Sequence, residues 1–163
     1  MMEVRKAVTG IAVARNVAKI TVPGIPDRPG VAADIFEPLA AAGISVDVIV
    51  QSASAGGKAD ISFTVAEGDL DRSLAITKTS RSAVDARMIG GRGYAKVSVV
   101  GTGMTNSPGY ASRMFRALAT AGVNIDMITT SEIRITCIVE AGQVEKAARA
   151  LHQAFELQEA ASG

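Results

Sequence analysis

Asp27-Arg28-Pro29-Gly30-Val31-Ala32-Ala33-Asp34-Ile35-Phe36 reads as a turn followed by the opening of a helix. Asp27 stands where an N-cap belongs and Pro29 falls at the first helical turn. Val31, Ile35, Leu39 and Ala42 then recur at spacings of three and four, which marks one buried stripe, and Gly43 ends the segment. Pro38 lies inside this helix, where it removes a backbone donor, so a kink is expected there. Shifted by 79 positions, the stretch is written again: Asn106-Ser107-Pro108-Gly109-Tyr110-Ala111-Ser112-Arg113-Met114-Phe115 overlays it. Pro29, Gly30, Ala32, Phe36, Leu39, Ala40, Ala42, Gly43, Asp47 and Ile49 all recur, ten identities over residues 27–49, with the helix start and stop signals in register. That is an internal repeat, and it divides the 163 residues into two small modules.

Around the repeat, residues 8–14 and 18–22 read as two strands separated by a turn at Arg15-Asn16. Residues 44–50 alternate and lead through a polar, Gly-rich turn over 51–57 into a strand at 60–65, a hairpin. Asp69 caps a second helix to about Lys78, a strand is expected over 84–89, and Gly90, Gly91 and Gly93 form the joint. The second module repeats the order with a strand at 95–100, a helix at 110–121, strands at 124–130 and 134–139, and a helix at 143–155. This order is that of an α+β fold of two ferredoxin-like (βαββαβ) modules, residues 15–91 and 92–158. The second lacks a final strand, and residues 8–14 would supply it, interleaving the modules.

Composition excludes several functions. Seventeen basic against 16 acidic residues leave a net charge of +1, which gives no electrostatic case for nucleic acid or an anionic membrane. No apolar run approaches the roughly 18 residues of a membrane span, and the leader is not a signal peptide, so a cytoplasmic location is expected. The single cysteine, Cys137, reads as a buried strand residue, and the single histidine, His152, as a partly exposed helical one. No spacing of His, Cys, Asp or Glu matches a metal site, and neither Gly101-Thr102-Gly103-Met104 nor Gly90-Gly91-Arg92-Gly93 has the surroundings of a phosphate or dinucleotide loop. No cofactor, metal or catalytic residue is expected. What remains is the loop before each helix. Free amides after Pro29 suit a carboxylate and Asp27 suits an ammonium, the two ends of an amino acid. Asp27 capping its own helix is the competing role, and pattern alone leaves both open. At Asn106 the acid is gone.

Asp27-Arg28-Pro29-Gly30-Val31-Ala32, Asp60-Ile61-Ser62-Phe63-Thr64-Val65, Ala95-Lys96-Val97-Ser98-Val99-Val100-Gly101, Asn124-Ile125-Asp126-Met127-Ile128 and Thr130-Ser131-Glu132-Ile133-Arg134-Ile135 together resemble the tandem ACT-domain regulatory region of aspartate kinase. The resemblance runs from about residue 9 to 157. It implies a regulatory β subunit or region without the kinase domain, and hence no enzyme by itself. It also implies feedback inhibition by threonine, lysine or both, and a homodimer partnered by a kinase-containing α subunit. The implied effector site comprises Ile25, Asp27, Pro29, Gly30, Val31, Ala32 and Gln51, completed by Asn124 and Ile125 of a second copy. A second site would use Met104, Ser107, Pro108, Gly109, Tyr110 and Ser131. Ser45 and Ser52 stand where many members carry Asn, and Tyr110 replaces a smaller apolar residue. The alternatives are a stand-alone small-molecule-sensing ACT protein or a small acyl-phosphate hydrolase. The latter needs a run of free amides beside an Arg that this loop lacks. An RNA-binding module is disfavoured by the absence of Trp and by placement of Phe36, Phe115 and Phe155 on helices.

Overall fold

The computed structural model describes residues 8–83, 86–102 and 108–155. The elements in order are β1 (Val8–Pro26), α1 (Val31–Ala41), β2 (Ile49–Ser54), β3 (Lys58–Ala66), α2 (Leu70–Lys78), β4 (Ile89–Gly101), α3 (Tyr110–Thr120), β5 (Met127–Thr130), β6 (Arg134–Glu140) and α4 (Val144–Ala154). Short 3₁₀ turns at Glu67–Asp69 and Ala141–Gln143 lead into α2 and α4. The fold is the mixed α/β, two-repeat ferredoxin-like arrangement expected from the element order. By contacts it divides into two units: Asn16–Gly93, and residues 8–15 together with 94–155 among those described.

In the first of these, β3 lies between β2 and β1, antiparallel to both. Alternation along the strands sends Ala18, Ile20 and Val22 of β1 and Ala59, Ile61, Phe63 and Val65 of β3 into one core. Val31, Ile35 and Leu39, the stripe read from the sequence, close that core from α1, and Phe36 meets Phe63 edge to face at 5.1 Å. In the second unit, β6 lies between β5 and β4, and Ala95, Val97 and Val99 with Ile135, Cys137 and Val139 face Met114 and Leu118 of α3 and Val144, Ala147 and Leu151 of α4. Val8, from the first residues of β1, is buried in this same core, with Ile11 packed against it. The repeat extends to polar detail. Thr21 opposite Ser62 and Ser98 opposite Thr136 are cross-strand hydroxyl pairs, at 2.9 and 2.7 Å.

Several sequence expectations are corrected. No turn separates residues 8–14 from 18–22: β1 is continuous, and Asn16 passes through it at φ 59°, a conformation Asn tolerates better than most residues. The glycines at 90, 91 and 93 lie within β4 and not in a loop, and the division between the two units falls just after Gly93, inside that strand. A Cβ at Gly90 would stand 3.0 Å from Leu74 Cδ1 and 3.3 Å from Leu70 Cδ1, so this glycine lets α2 lie close against the strand. Of the strand expected over 84–89, Val84 and Asp85 lie outside the described residues, 86–88 are irregular and Ile89 opens β4. Residues 44–48 are not strand either. The Val48 N–H donates to the Thr64 side-chain hydroxyl at 3.1 Å, while the Thr64 N–H still donates to Val48 O at 3.0 Å and Thr64 O accepts from the Asp47 N–H at 3.1 Å. Regular pairing begins only at Ile49 opposite Phe63 and runs into the expected turn as far as Ser54. In the second unit the equivalent of Thr64 is Ile138, which has no hydroxyl, and β5 accordingly pairs one position earlier, at Met127. It still starts later than residue 124. Asp69 occupies the N-cap position of α2 without a side-chain cap bond, its carboxylate accepting instead from Arg72 at 3.2 Å.

Pro38 is accommodated within α1 by an outside donor. The proline has no N–H for the Asp34 carbonyl four residues earlier. Ser80 Oγ, from the segment after α2, donates to that carbonyl at 3.2 Å, while Ser82 Oγ donates to the Asp34 carboxylate at 2.9 Å. At the equivalent place α3 has Ala117 and needs no such help. In urea denaturation, Ser80→Ala is expected to cost about 1 kcal/mol. In a Pro38→Ala background, where residue 38 supplies its own donor, the same change should cost close to nothing. Equal losses in the two backgrounds would sink this account of the proline.

Candidate functional site

Neither α1 nor α3 begins on a side-chain cap. The N-cap residue is Gly30 in one and Gly109 in the other, at φ 93° and 100°, and among the described residues no side chain bonds to the first amides of either helix. Asp27 is therefore not the cap that the pattern suggested. The left-handed glycine turns the chain into the helix without bringing Asp27 round to it. Val31 N–H reaches Arg28 O only at 3.5 Å and Asp34 N–H bonds Gly30 O at 3.0 Å, while Ala32 and Ala33, between them, have no backbone acceptor among the described residues. Two donors at the positive end of α1 thus remain open. Asp27 is exposed, and its carboxylate has neither a hydrogen bond nor an ion pair among the described residues. Its backbone is nevertheless held, because Asp27 N–H donates to Gly57 O at the tip of the β2–β3 hairpin at 2.9 Å.

The other residues expected of the first site take different places. Ile25 is buried at the end of β1 opposite Ala59, and Val31 is buried beneath the helix start, so both form floor, not rim. Arg28, Pro29, Gly30 and Ala32 are exposed. Gln51 is exposed on β2 opposite Ile61, three positions along the strand from the hairpin end that Asp27 touches, or roughly 10 Å. All of β2 is exposed, including Ile49 and Val50, and it lies at an edge of its sheet. The loop chemistry and a bare strand edge therefore belong to one unit. Asn124 and Ile125 lie in the other, exposed and half-buried, between α3 and β5.

Of the second expected site, Met104 and Ser107 lie outside the described residues. Pro108 and Gly109 are exposed ahead of α3, and Ser131 is exposed after β5, its N–H bonded to Arg134 O at 2.8 Å. Tyr110 is half-buried and turned to a structural task. Its ring stacks on Phe155 at 6.4 Å, and the Arg113 guanidinium lies 5.0 Å from the centre of the same Phe155 ring. The two helix entrances are alike in backbone and unlike in what their side chains do.

Cys137 is fully buried in β6, and burial pushes its thiol up to about 12. His152 is half-buried on α4. Lys96 on β4 is pushed down by burial and by the nearby Arg134 charge. Among the described residues no group of His, Cys, Asp and Glu is arranged to hold a metal, and no helix is long and apolar enough to cross a membrane.

A family model described as the ACT domain matches residues 20–79 and 97–155. An aspartokinase of Pseudomonas aeruginosa is 47% identical over 151 residues, which is 92% of this chain and 37% of that protein. The chain thus spans little more than a third of the length of that relative. The ligand-free regulatory subunit of aspartate kinase from Thermus thermophilus superposes with a TM-score of 0.85 at 41% identity, covering 92% of this chain and 99% of the subunit. A structure of aspartokinase alpha and beta subunits matches with a TM-score of 0.83 at 44% identity, covering 93% and 100%.

Two measurements check the geometry. Asp27→Ala is expected to leave the unliganded stability within about 0.5 kcal/mol, the range of surface changes, whereas Gly30→Ala, forced to keep φ 93°, should lose more than that. A loss near 1 kcal/mol for Asp27→Ala would restore it as a cap. For Cys137, the unfolded chain sheds its thiol proton near the ordinary 9.0 and the folded chain only near 12. Below pH 9 the thiol leaves stability unchanged; above it only the unfolded state ionises, so its contribution falls as pH rises from 9 towards 12. Cys137→Ala should flatten that part of the stability profile. A disulfide reagent at pH 8 should react with the thiol in urea and not in buffer.

Proposed function

The chain belongs to the ACT-domain family as a regulatory region of aspartate kinase, and from that premise we propose that it senses an amino acid at the entrance of α1. The observation that carries this reading is the pairing of a partnerless, exposed carboxylate at Asp27 with two open amides at the start of α1. An amino-acid carboxylate takes the amides and its ammonium takes Asp27. The short hydroxyl-bearing side chain of L-threonine suits the space towards Gln51, with Val31 and Ile25 as an apolar floor. L-Threonine is the effector proposed for this loop. L-Lysine is the candidate for the second loop, where Asn106 replaces the acid.

The site is half a site in one chain. A homodimer that places Asn124 and Ile125 of a second copy over the Asp27 loop completes it, and the bare edge of β2 is where such a copy adds. An effector held between copies favours one dimer arrangement by its differential affinity for it, about 1–3 kcal/mol of coupling. Through a kinase-containing α subunit that coupling becomes feedback inhibition of aspartate-family amino-acid biosynthesis, a cytoplasmic role. The full-length match to a chain in a structure of aspartokinase alpha and beta subunits supports this division of labour. A ligand-sensing ACT protein without a kinase partner is the second reading, favoured only if no kinase subunit binds.

Titration calorimetry and thermal melting test the proposal. Threonine should raise Tm saturably, Asp27→Ala should abolish the rise, and Asn124→Ala should weaken it while leaving the monomer folded. No heat and no stabilisation with either threonine or lysine would end the effector reading.

A further inference from the structure

A cavity of about 440 Å³ opens in the Asn16–Gly93 unit, and none of the residues assigned to the amino-acid site lines it. Its walls come from the end of β1 at Pro23 and Gly24, from Lys58 at the start of β3, and from Arg81, Ser82 and Arg87 on the segment between α2 and β4. Three elements distant in sequence thus bring one lysine and two arginines to one concavity. Its size falls within the range of small-ligand sites.

The charge there is unbalanced. Among the described residues no carboxylate lies within ion-pair distance of Lys58, Arg81 or Arg87, and none of the three side chains has a hydrogen-bond partner. Of the acids beside the lining residues, Asp34 accepts from Ser82 Oγ at 2.9 Å, Asp60 accepts from the Gly24 N–H at 2.8 Å, and Asp27, next to the lining residue Pro26, makes no ion pair with any of the three cations. Asp85 lies outside the described residues. Ser82, already bonded to Asp34, fixes the segment that carries the two arginines. Three like charges gathered round a cavity repel one another unless an anion sits among them, and two guanidinium forks with an ammonium match the oxygens of a phosphoryl or carboxylate group.

We propose that this cavity is a binding site for a small oxyanion of at least two negative charges, a phosphomonoester or a dicarboxylate, separate from the amino-acid site at α1. The proposal stands on this cavity alone and not on the threonine reading.

The full chain is titrated with inorganic phosphate and, separately, with succinate, at ionic strength held constant with chloride. Amide NMR shifts are followed at Gly24, Lys58 and Ser82. Saturable shifts at these residues are expected with at least one probe, and Arg81→Gln with Arg87→Gln should weaken binding by roughly tenfold or more. Saturation by phosphate alone assigns a phosphoryl ligand, by succinate alone a dicarboxylate, and by both a general dianion site. Both arginines are exposed and their side chains make no bond to the described residues, so the variant should keep its native amide spectrum. Linear, unsaturable shifts with both probes, or equal affinity in the double variant, would overturn the proposal. Neither result bears on threonine, which is titrated independently.

Discussion

A glycine in the left-handed region stands at the entrance of α1 and of α3, and another stands at the exit of each: Gly30 and Gly43, Gly109 and Gly122. At the exits, Ile44 N–H reaches back to Leu39 O and Gly43 N–H to Ala40 O, and Val123 and Gly122 repeat the pattern on Leu118 and Ala119. These are paired closing bonds that satisfy carbonyls at the helix end. The entrances are treated in the opposite way. There the glycine admits the chain at an angle that no capping side chain follows, and the first amides stay open. In α1 and α3 those glycines mark where the helical turns begin and end, and the stripes between them face the cores. The same device that positions Ile35 and Leu39, or Met114 and Leu118, in the cores also leaves a polar mouth above them.

Duplication built two mouths, and the differences between the copies show what each has been adapted to. The Asp27 copy keeps an acid that nothing in its own unit neutralises, and its helix tolerates a proline because Ser80 answers the orphaned Asp34 carbonyl. The Gly109 copy has a continuous helix and uses its first residue, Tyr110, to hold Phe155 at the end of α4. Among the described residues one entrance leaves two amides and a carboxylate without partners, while the other has committed its first side chain to packing.

Much of this was legible. Helices with glycine stops and stripes at three and four, and strands alternating into a core, follow from local periodicity, which is why α1, α3 and α4 fall within a residue or so of expectation. What local pattern cannot carry is long-range bonding. Residues 44–48 alternate like a strand, but a hydroxyl at Thr64, sixteen positions after Val48, takes the Val48 amide and shifts the main-chain partner of Thr64 O to Asp47, so regular pairing starts later. Gly90, Gly91 and Gly93 look like a hinge until the close approach of Leu70 and Leu74 gives one of them a packing reason. Asp27 looks like a cap because type and spacing are right, and only the φ of Gly30 shows that the geometry is wrong. The anion cavity was invisible, because Lys58, Arg81 and Arg87 are unremarkable surface residues until the fold gathers them.

Asn16 and Gly93 mark the places where β1 and β4 pass from one unit to the other, each with its backbone in the left-handed region. Each strand serves both units, but only the unit holding Val8 is assembled from two separate runs of chain. During synthesis residues 8–15 emerge first and must wait for β4, some eighty residues later, before the core that holds Val8 can close. The Asn16–Gly93 unit, contiguous in sequence, can form in that interval, leaving the early strand as an unpaired edge. Ribosome-paced folding would then have a built-in order, with the unit that carries Asp27 assembled ahead of the unit that carries Asn124.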